Sequence, residues 1–239
     1  MSAGARAGGD TLPEQQVAAM FDRVARFYDL LNSVMTAGLH HAWRARAADI
    51  AAVGPGDRVV DVAAGTGDLT IELNSRVSPG GEVVGVDLSE GMLALAREKA
   101  PGIRFEQGSA LDLPYADGEF AAATVGFGAR NFSDLSRGLA EMRRVVRPGG
   151  RVVVLDFTTP TRPPLSWFFQ LWFDRIVPLL GRLSDDPEAY MYLPNSVKRF
   201  PPSRELAAEM AGVGLADVRW IATAGGIVTV HSGVVPPTK

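Results

Sequence analysis

From Arg58 onward the chain alternates short β-branched runs with segments whose apolar residues recur at helical spacing. The runs RVVDVA (Arg58 to Ala63), EVVGVD (Glu82 to Asp87), IRFEQG (Ile103 to Gly108), AAATVGFG (Ala121 to Gly128) and RVVVLDF (Arg151 to Phe157) predict strands. Ser89 caps a helix, EGMLALAREKA, in which Met92, Leu93, Leu95 and Ala96 form the apolar face. A second helix over 134–146 stops at Arg147-Pro148-Gly149-Gly150. The rhythm breaks over about 160–200, where large aromatics and prolines collect without a strand pattern. It resumes with a helix from about Ser203 and strands near Asp217 to Ile221 and Ile227 to Val230. The pattern is that of an α/β chain, a doubly wound and mostly parallel sheet covered on both faces.

Organisation follows from the same reading. Residues 1–16 are small and polar and read as a loose tail. One domain over 17–235 remains, with a helical N-terminal lid over 17–52 and an aromatic helical insertion over about 160–200. The 46% hydrophobic and 21% charged fractions are those of an ordinary soluble protein. A formal net charge of −3 argues against nucleic-acid binding through bulk electrostatics. With no cysteine there is no disulfide, thiolate metal site or catalytic thiol. Three scattered histidines, His40, His41 and His231, do not suggest a metal site. The apolar stretch from Pro164 to Leu183 carries Asp174 and Arg175 at its centre and Pro178, which argues against a membrane span. A cytoplasmic protein is expected.

The chemistry concentrates in VVDVAAGTGD (Val59 to Asp68), a strand entering a glycine-rich turn. A dinucleotide fingerprint needs a third glycine where Thr70 stands. In its place is an acid, Asp61, four residues before Gly65. A carboxylate there repels a pyrophosphate but suits a cationic amino-acid group. S-adenosylmethionine carries an ammonium, a sulfonium and no phosphate, and the glycines let it lie close to the backbone. Asp87, at the end of the second strand, suits ribose hydroxyls in either class of ligand. Gly108 to Pro114 follows the third strand, where an adenine-contacting turn would sit.

With these residues in place the chain resembles the class I methyltransferases, and more narrowly the quinone-biosynthesis C-methyltransferases of the UbiE/MenG type. Tyr28-Asp29-Leu30-Leu31-Asn32, continuing to His40-His41-Ala42-Trp43-Arg44, resembles that family's N-terminal signature. Arg144 to Gly150, Gly126 to Asn131 and the closing Gly225 to Gly233 resemble three further family segments. Ser109 and Asp156 depart from it, standing where the family often has an acid and usually has Glu, respectively.

The resemblance implies a Rossmann-like class I methyltransferase fold of seven strands. The implied reaction is S-adenosylmethionine-dependent C-methylation of a prenylated hydroquinone ring, demethylmenaquinol to menaquinol. Another phenolic or benzoquinol acceptor is the nearest alternative, and a non-catalytic protein binding the cofactor or a quinone is the alternative of another class. Implied cofactor contacts are Tyr28, Asp61, Gly65, Thr66, Gly67 and Asp87, with Ser109, Ala110 and Gly126 beside the nucleoside. His231 is the candidate general base, because an imidazole transfers protons near neutrality; a lone histidine on a terminal strand is otherwise a structural residue. Arg130 and Asn131 would hold the phenolate oxygen, or form a loop ion pair. Tyr190, with Tyr192, would line the acceptor site. Trp167, Phe168, Phe169, Leu171, Trp172 and Phe173 make a helix so apolar that it needs a cover. Expected covers are a second copy of the chain, the lid helices, or an isoprenoid tail at the inner face of the membrane.

Overall fold

The computed structural model describes residues 13–36, 38–160 and 187–237, together with Trp167, Leu171 and Arg175. Two helices, α1 (Glu14–Thr36) and α2 (Leu39–Ala51), precede the first strand, β1 (Arg58–Val62). There follow α3 (Asp68–Val77), β2 (Glu82–Asp87), α4 (Glu90–Lys99), β3 (Arg104–Gln107) and β4 (Phe120–Gly126). A 3-10 turn, Ala129–Asn131, leads to α5 (Leu135–Val145) and β5 (Val146–Phe157). After the insertion come α6 (Pro187–Arg199), α7 (Ser203–Gly212), β6 (Ala216–Thr223) and β7 (Val228–Val234).

The strands form one seven-stranded sheet in the order β3-β2-β1-β4-β5-β7-β6. Pairing is parallel from β3 to β5, and β7 runs antiparallel to both β5 and β6. The chain winds outward from β1 in one direction and then from β4 in the other. The carboxyl ends of β1 and β4 therefore diverge into a crevice, the place where such sheets hold ligands.

Alternation along the strands divides the core into two layers. Val60, Val84, Val152 and Val154 meet Leu139 and Met142 of α5 and Leu206 and Met210 of α7. On the other face Val59, Val83, Val153 and Leu155 meet Ala47 and Ala48 of α2 and Leu69 and Leu73 of α3. Helix caps fall where the sequence puts them. Ser89 Oγ accepts from Met92 N at 3.1 Å and Asp134 Oδ1 from Arg137 N at 2.9 Å.

Several boundaries differ from expectation: α1 begins at Glu14, inside the expected tail over 1–16, and β7 runs on to Val234. β5 begins at Val146 and not at Arg151, because Val146 already pairs with Phe120. The register then shifts, and Arg151 pairs with Ala122. Arg147-Pro148-Gly149-Gly150 ends the helix as expected, but as an irregular entry to the strand. Gly150 is required there, since a Cβ would lie 2.4 Å from the Ala121 carbonyl oxygen. The aromatic insertion falls outside the described residues apart from its three isolated positions and α6, a helix with Pro194 inside it.

Leu139 is fully buried between α5 and the sheet. Leu139→Ala should lower the unfolding free energy by about 2–5 kcal/mol, as buried leucine truncations do. Urea titration with an unchanged m-value would give this directly; a loss below about 1 kcal/mol would mean that the layer is loosely packed.

Candidate active site

A cavity opens at the crevice between β1, β2 and β4, and α1 lies across it. Its walls include Asp61, Ala63 to Thr66, Asp87, Gly108, Ala110, Gly126 to Gly128 and Asn131, with Glu14, Val17, Ala18 and Phe21 from α1. The β1–α3 loop is shaped by positive φ angles at Ala63 (53°), Gly65 (57°) and Gly67 (83°). Ala63 and Phe127 (φ 61°) are non-glycine residues in the left-handed region, and both line the cavity. Such strain persists only where surrounding contacts enforce it. The Phe127 backbone N–H donates to Leu155 O at 2.7 Å, and its ring lies 4.9 Å from that of Phe157.

Asp61 is 1% exposed and engages two threonines. Thr70 Oγ1 donates to Oδ2 at 2.7 Å and Thr124 Oγ1 to Oδ1 at 2.6 Å. Thr70 thus does more than break the dinucleotide pattern: it supports the acid that replaces that pattern. Burial pushes the Asp61 carboxyl up to about 6, with the threonine bonds and nearby Arg44 acting against the rise. Asp87 stabilises the glycine loop from the neighbouring strand, accepting from Gly65 N at 2.8 Å and Ser89 N at 2.9 Å. Burial raises its pKa too, against the pull of the backbone N–H groups of Ser89, Gly65 and Leu88.

The other expected cofactor residues are placed unevenly. Thr66, Ala110 and Gly126 line the cavity. Gly67 does not; it caps α3, and a Cβ there would lie 2.9 Å from Phe105 Cζ. It provides the close helix–strand approach that the dinucleotide pattern assigns to its third glycine. Ser109 Oγ donates to Glu14 Oε1 at 2.8 Å, so it meets α1 rather than the cavity wall. A second link joins the same helix to α4. Asp22 Oδ1 accepts from Ser89 Oγ at 2.5 Å and from Gly91 N at 2.9 Å. Tyr28 lies on α1 and Tyr190 on α6, and the side chains of both lie outside the described residues.

The expected catalytic residues separate. Arg130 is 7% exposed and pairs with Asp156, Nη1 to Oδ1, at 2.7 Å. The same Nη1 donates to Phe127 O, and the Arg130 backbone N–H donates to Asp156 Oδ2 at 3.1 Å. Arg130 is therefore tied to the end of β5, and Asn131 is the member of the pair that lines the cavity. Asn131 Oδ1 is buried with no hydrogen-bond partner among the described residues. An oxygen left in that state awaits a donor.

His231 is not at the cavity. It is 0% exposed on β7, its ring stacked at 5.8 Å on that of Trp220, and its Nε2 lies 2.9 Å from Ser203 O. Burial lowers its pKa, which favours the neutral ring. Strand alternation explains the placement. His231 pairs with Val154, and Val154 faces the α5/α7 layer.

Residues passed over in the sequence also belong here. Arg44 and Asp68 line the cavity, with Nη1 3.1 Å from Oδ2. Arg44 closes the His40 to Arg44 part of the N-terminal signature, and the four-residue interval puts both residues on one face of α2. His40, His41 and Asp68 bring ligand atoms within 4.8 Å of one another. Arg44 and Lys99 already supply the positive charge there, Lys99 Nζ lying 2.8 Å from Asp68 Oδ1.

Comparison with known proteins places this geometry. A model of the ubiE/COQ5 methyltransferase family matches residues 10–235. The chain is 41% identical over 223 residues to a demethylmenaquinone methyltransferase of Desulfitobacterium hafniense, covering 90% of this chain and 88% of that one. It is 43% identical over 219 residues to the enzyme of the same name from Thermus thermophilus, covering 90% and 99%. Among solved structures, a SAM-dependent methyltransferase from Thermotoga maritima superposes with a TM-score of 0.65 at 18% identity, covering 91% of this chain and 98% of that one. The [4+2]-cyclase SpnF does so with a TM-score of 0.70 at 18% identity, covering 96% and 99%. These two likenesses concern the fold alone.

The Asp61 carboxyl gives a pH signature. Its folded pKa of about 6 lies above the 3.8 of a free carboxyl, so the ligand-free protein holds an extra proton between those values and loses stability as pH rises through that window. Holding the charge at neutral pH costs roughly 3 kcal/mol. A cation bound beside it lowers the pKa again. The affinity for S-adenosylmethionine should therefore rise with pH up to about 6 and level off above, with proton uptake by the buffer below that point. Calorimetry in two buffers would detect the released proton. Asp61→Asn should abolish the slope, and a wild-type affinity that is flat from pH 5 to 7.5 would contradict the assignment.

Proposed function

The chain belongs to the ubiE/COQ5 methyltransferase family, and on that premise we propose that it methylates a ring carbon of demethylmenaquinol to give menaquinol. It is an S-adenosylmethionine-dependent methyltransferase. The observation that carries the acceptor is the run of relatives named demethylmenaquinone methyltransferase, matched over nearly the whole chain.

The residues of the cavity fit that cofactor. Asp61 and Asp87 offer carboxylates where a phosphate would be repelled, and Gly65 brings backbone close without a side chain. When bound, S-adenosylmethionine supplies a methyl group already activated on sulfur. The protein must align the ring carbon and raise its nucleophilicity. Holding reactants about 3–3.5 Å apart is worth roughly 7–11 kcal/mol of the barrier. A hydroquinone carbon becomes nucleophilic as its neighbouring hydroxyl loses a proton, and a free phenol does so only near pH ~10.

Asn131 suits the first part of that task. Its unpartnered Oδ1 can accept from the ring hydroxyl and fix the ring in the cavity. Arg130 acts one step back. Its pair with Asp156 holds the Ala129–Asn131 turn against β5; burial raises the pKa of Tyr192 on α6, and the charges of Arg199 and Arg130 act against that rise. Phe127, Trp43 and Phe157 form an aromatic wall on the same side, with ring centroids at 6.3 and 4.9 Å from Phe127. Helix α1 serves as a lid, joined through Glu14 to Ser109 and through Asp22 to the start of α4.

A lipophilic acceptor needs an apolar approach. Trp167 and Leu171 are 67% and 53% exposed, and Arg175 follows at the same four-residue interval. An exposed Trp and Leu with an arginine at that spacing suit the headgroup region of a bilayer. Among the described residues no helix is long and apolar enough to cross a membrane. Peripheral contact is the reading these residues support, with a second copy of the chain as the alternative cover.

Incubation with labelled S-adenosylmethionine and chemically reduced demethylmenaquinol should give labelled menaquinol, with much less label in a benzoquinol acceptor. Asn131→Ala should lower kcat about 100-fold with little change in cofactor affinity. No label in any quinol, with the cofactor bound, would remove the proposed acceptor. A preference for the benzoquinol would move it to that class.

A further inference from the structure

The charges around the cavity are unevenly distributed. Among the described residues four lining groups are carboxylates, Glu14, Asp61, Asp68 and Asp87, and one is a cation, Arg44. Carboxylates suit the ammonium and sulfonium of S-adenosylmethionine. Its amino-acid part also ends in a carboxylate, which must lie close to Asp61 or Asp68 once the ammonium is seated near either. A buried anion in such company needs a cation and hydrogen-bond donors.

Arg44 is built for that. It is 6% exposed on α2, and its guanidinium carbon lies 5.4 Å from the centroid of the Phe127 ring. Nη1 donates to Nδ1 of His40, one turn earlier on the same helix, and lies 3.1 Å from Asp68 Oδ2. Arginine has no acceptor, so the His40 contact fixes that ring with Nδ1 unprotonated and its proton on Nε2. Both contacts use Nη1. Among the described residues Nε and Nη2 make none, so part of a fork suited to bidentate carboxylate binding is left over. The arginine also stands near enough to Asp61 to pull down the pKa of that carboxyl.

We propose that Arg44 binds the carboxylate of the amino-acid moiety of S-adenosylmethionine, held in place by His40, Asp68 and the face of Phe127. This rests on the reading of the cavity as the cofactor site. It assigns to the His40–Arg44 segment a direct share in binding, beyond the packing of α2 on the sheet. A purely structural Arg44 would instead serve to neutralise Asp61 and Asp68.

Decarboxylated S-adenosylmethionine separates the two roles, because it keeps the sulfonium and amine and lacks only the carboxylate. Dissociation constants of both compounds would be measured by calorimetry for the wild type, Arg44→Gln and Arg44→Lys, with melting temperatures recorded alongside. The wild type should prefer the carboxylated compound. Arg44→Gln should weaken S-adenosylmethionine about 10- to 100-fold while leaving the decarboxylated compound unchanged or tighter, since a positive charge has been removed from beside a more cationic ligand. Arg44→Lys keeps charge without the fork and should show a smaller loss, again confined to the carboxylated compound; it decides the matter if Arg44→Gln does not fold. Equal losses for the two compounds, or no loss for either, would overturn the proposal while the cofactor site stands. A folded wild type that binds neither compound would overturn both.

Discussion

Two carboxylates at the ends of adjacent parallel strands set the terms for the rest of the molecule. Asp61 on β1 and Asp87 on β2 are withdrawn from water at the crevice where the winding of the sheet reverses. Buried charges of like sign are costly unless hydrogen-bonded. Each is answered locally: Asp61 by the hydroxyls of Thr70 and Thr124, Asp87 by the backbone N–H groups of Gly65 and Ser89. The second set of bonds also fixes the glycine loop, so that the ligand crevice and the charges that select its ligand are one construction. The residual field is negative, which disfavours phosphates and favours a cationic nucleoside.

Around that centre the lid and the acceptor side are arranged by further acid–donor contacts. Glu14 and Asp22 reach from α1 to Ser109 and to the N-terminus of α4, where a carboxylate also complements the helix dipole. On the far side Asp156 plays the corresponding part for Arg130, so that the turn carrying Asn131 is held at the end of β5. Asp156 reaches the Arg130 guanidinium at 2.7 Å.

Much of this was legible in the chain. Strand alternation and capping residues located β1, β2 and α4 almost to the residue, because those signals are local. The acid–glycine pattern Asp61, Gly65, Asp87 pointed to the cofactor class for the same reason: its members lie on one loop and the next strand. What escaped was whatever depends on which face a side chain takes after long-range pairing. His231 looked catalytic as an isolated titratable group, but its register opposite Val154 turns it into the core. Thr124 gave no local sign, and Arg44 and Asp156, though both stood out in the sequence, showed nothing of their partners: Thr124 meets Asp61 across 63 positions, Arg44 meets Asp68 across 24 and Asp156 meets Arg130 across 26, and only the fold brings them together. The strand-like entry at Val146 was hidden in the same way, behind a motif that does end a helix.

Buried carboxylates make this crevice a site for a cationic, phosphate-free nucleoside. Calorimetric titration of the purified chain at pH 7.5 with S-adenosylmethionine and, separately, with NAD tests it most directly. The first should bind saturably at one site per chain and the second not at all at millimolar concentration. Binding of NAD at comparable strength, or no heat with S-adenosylmethionine, would contradict it.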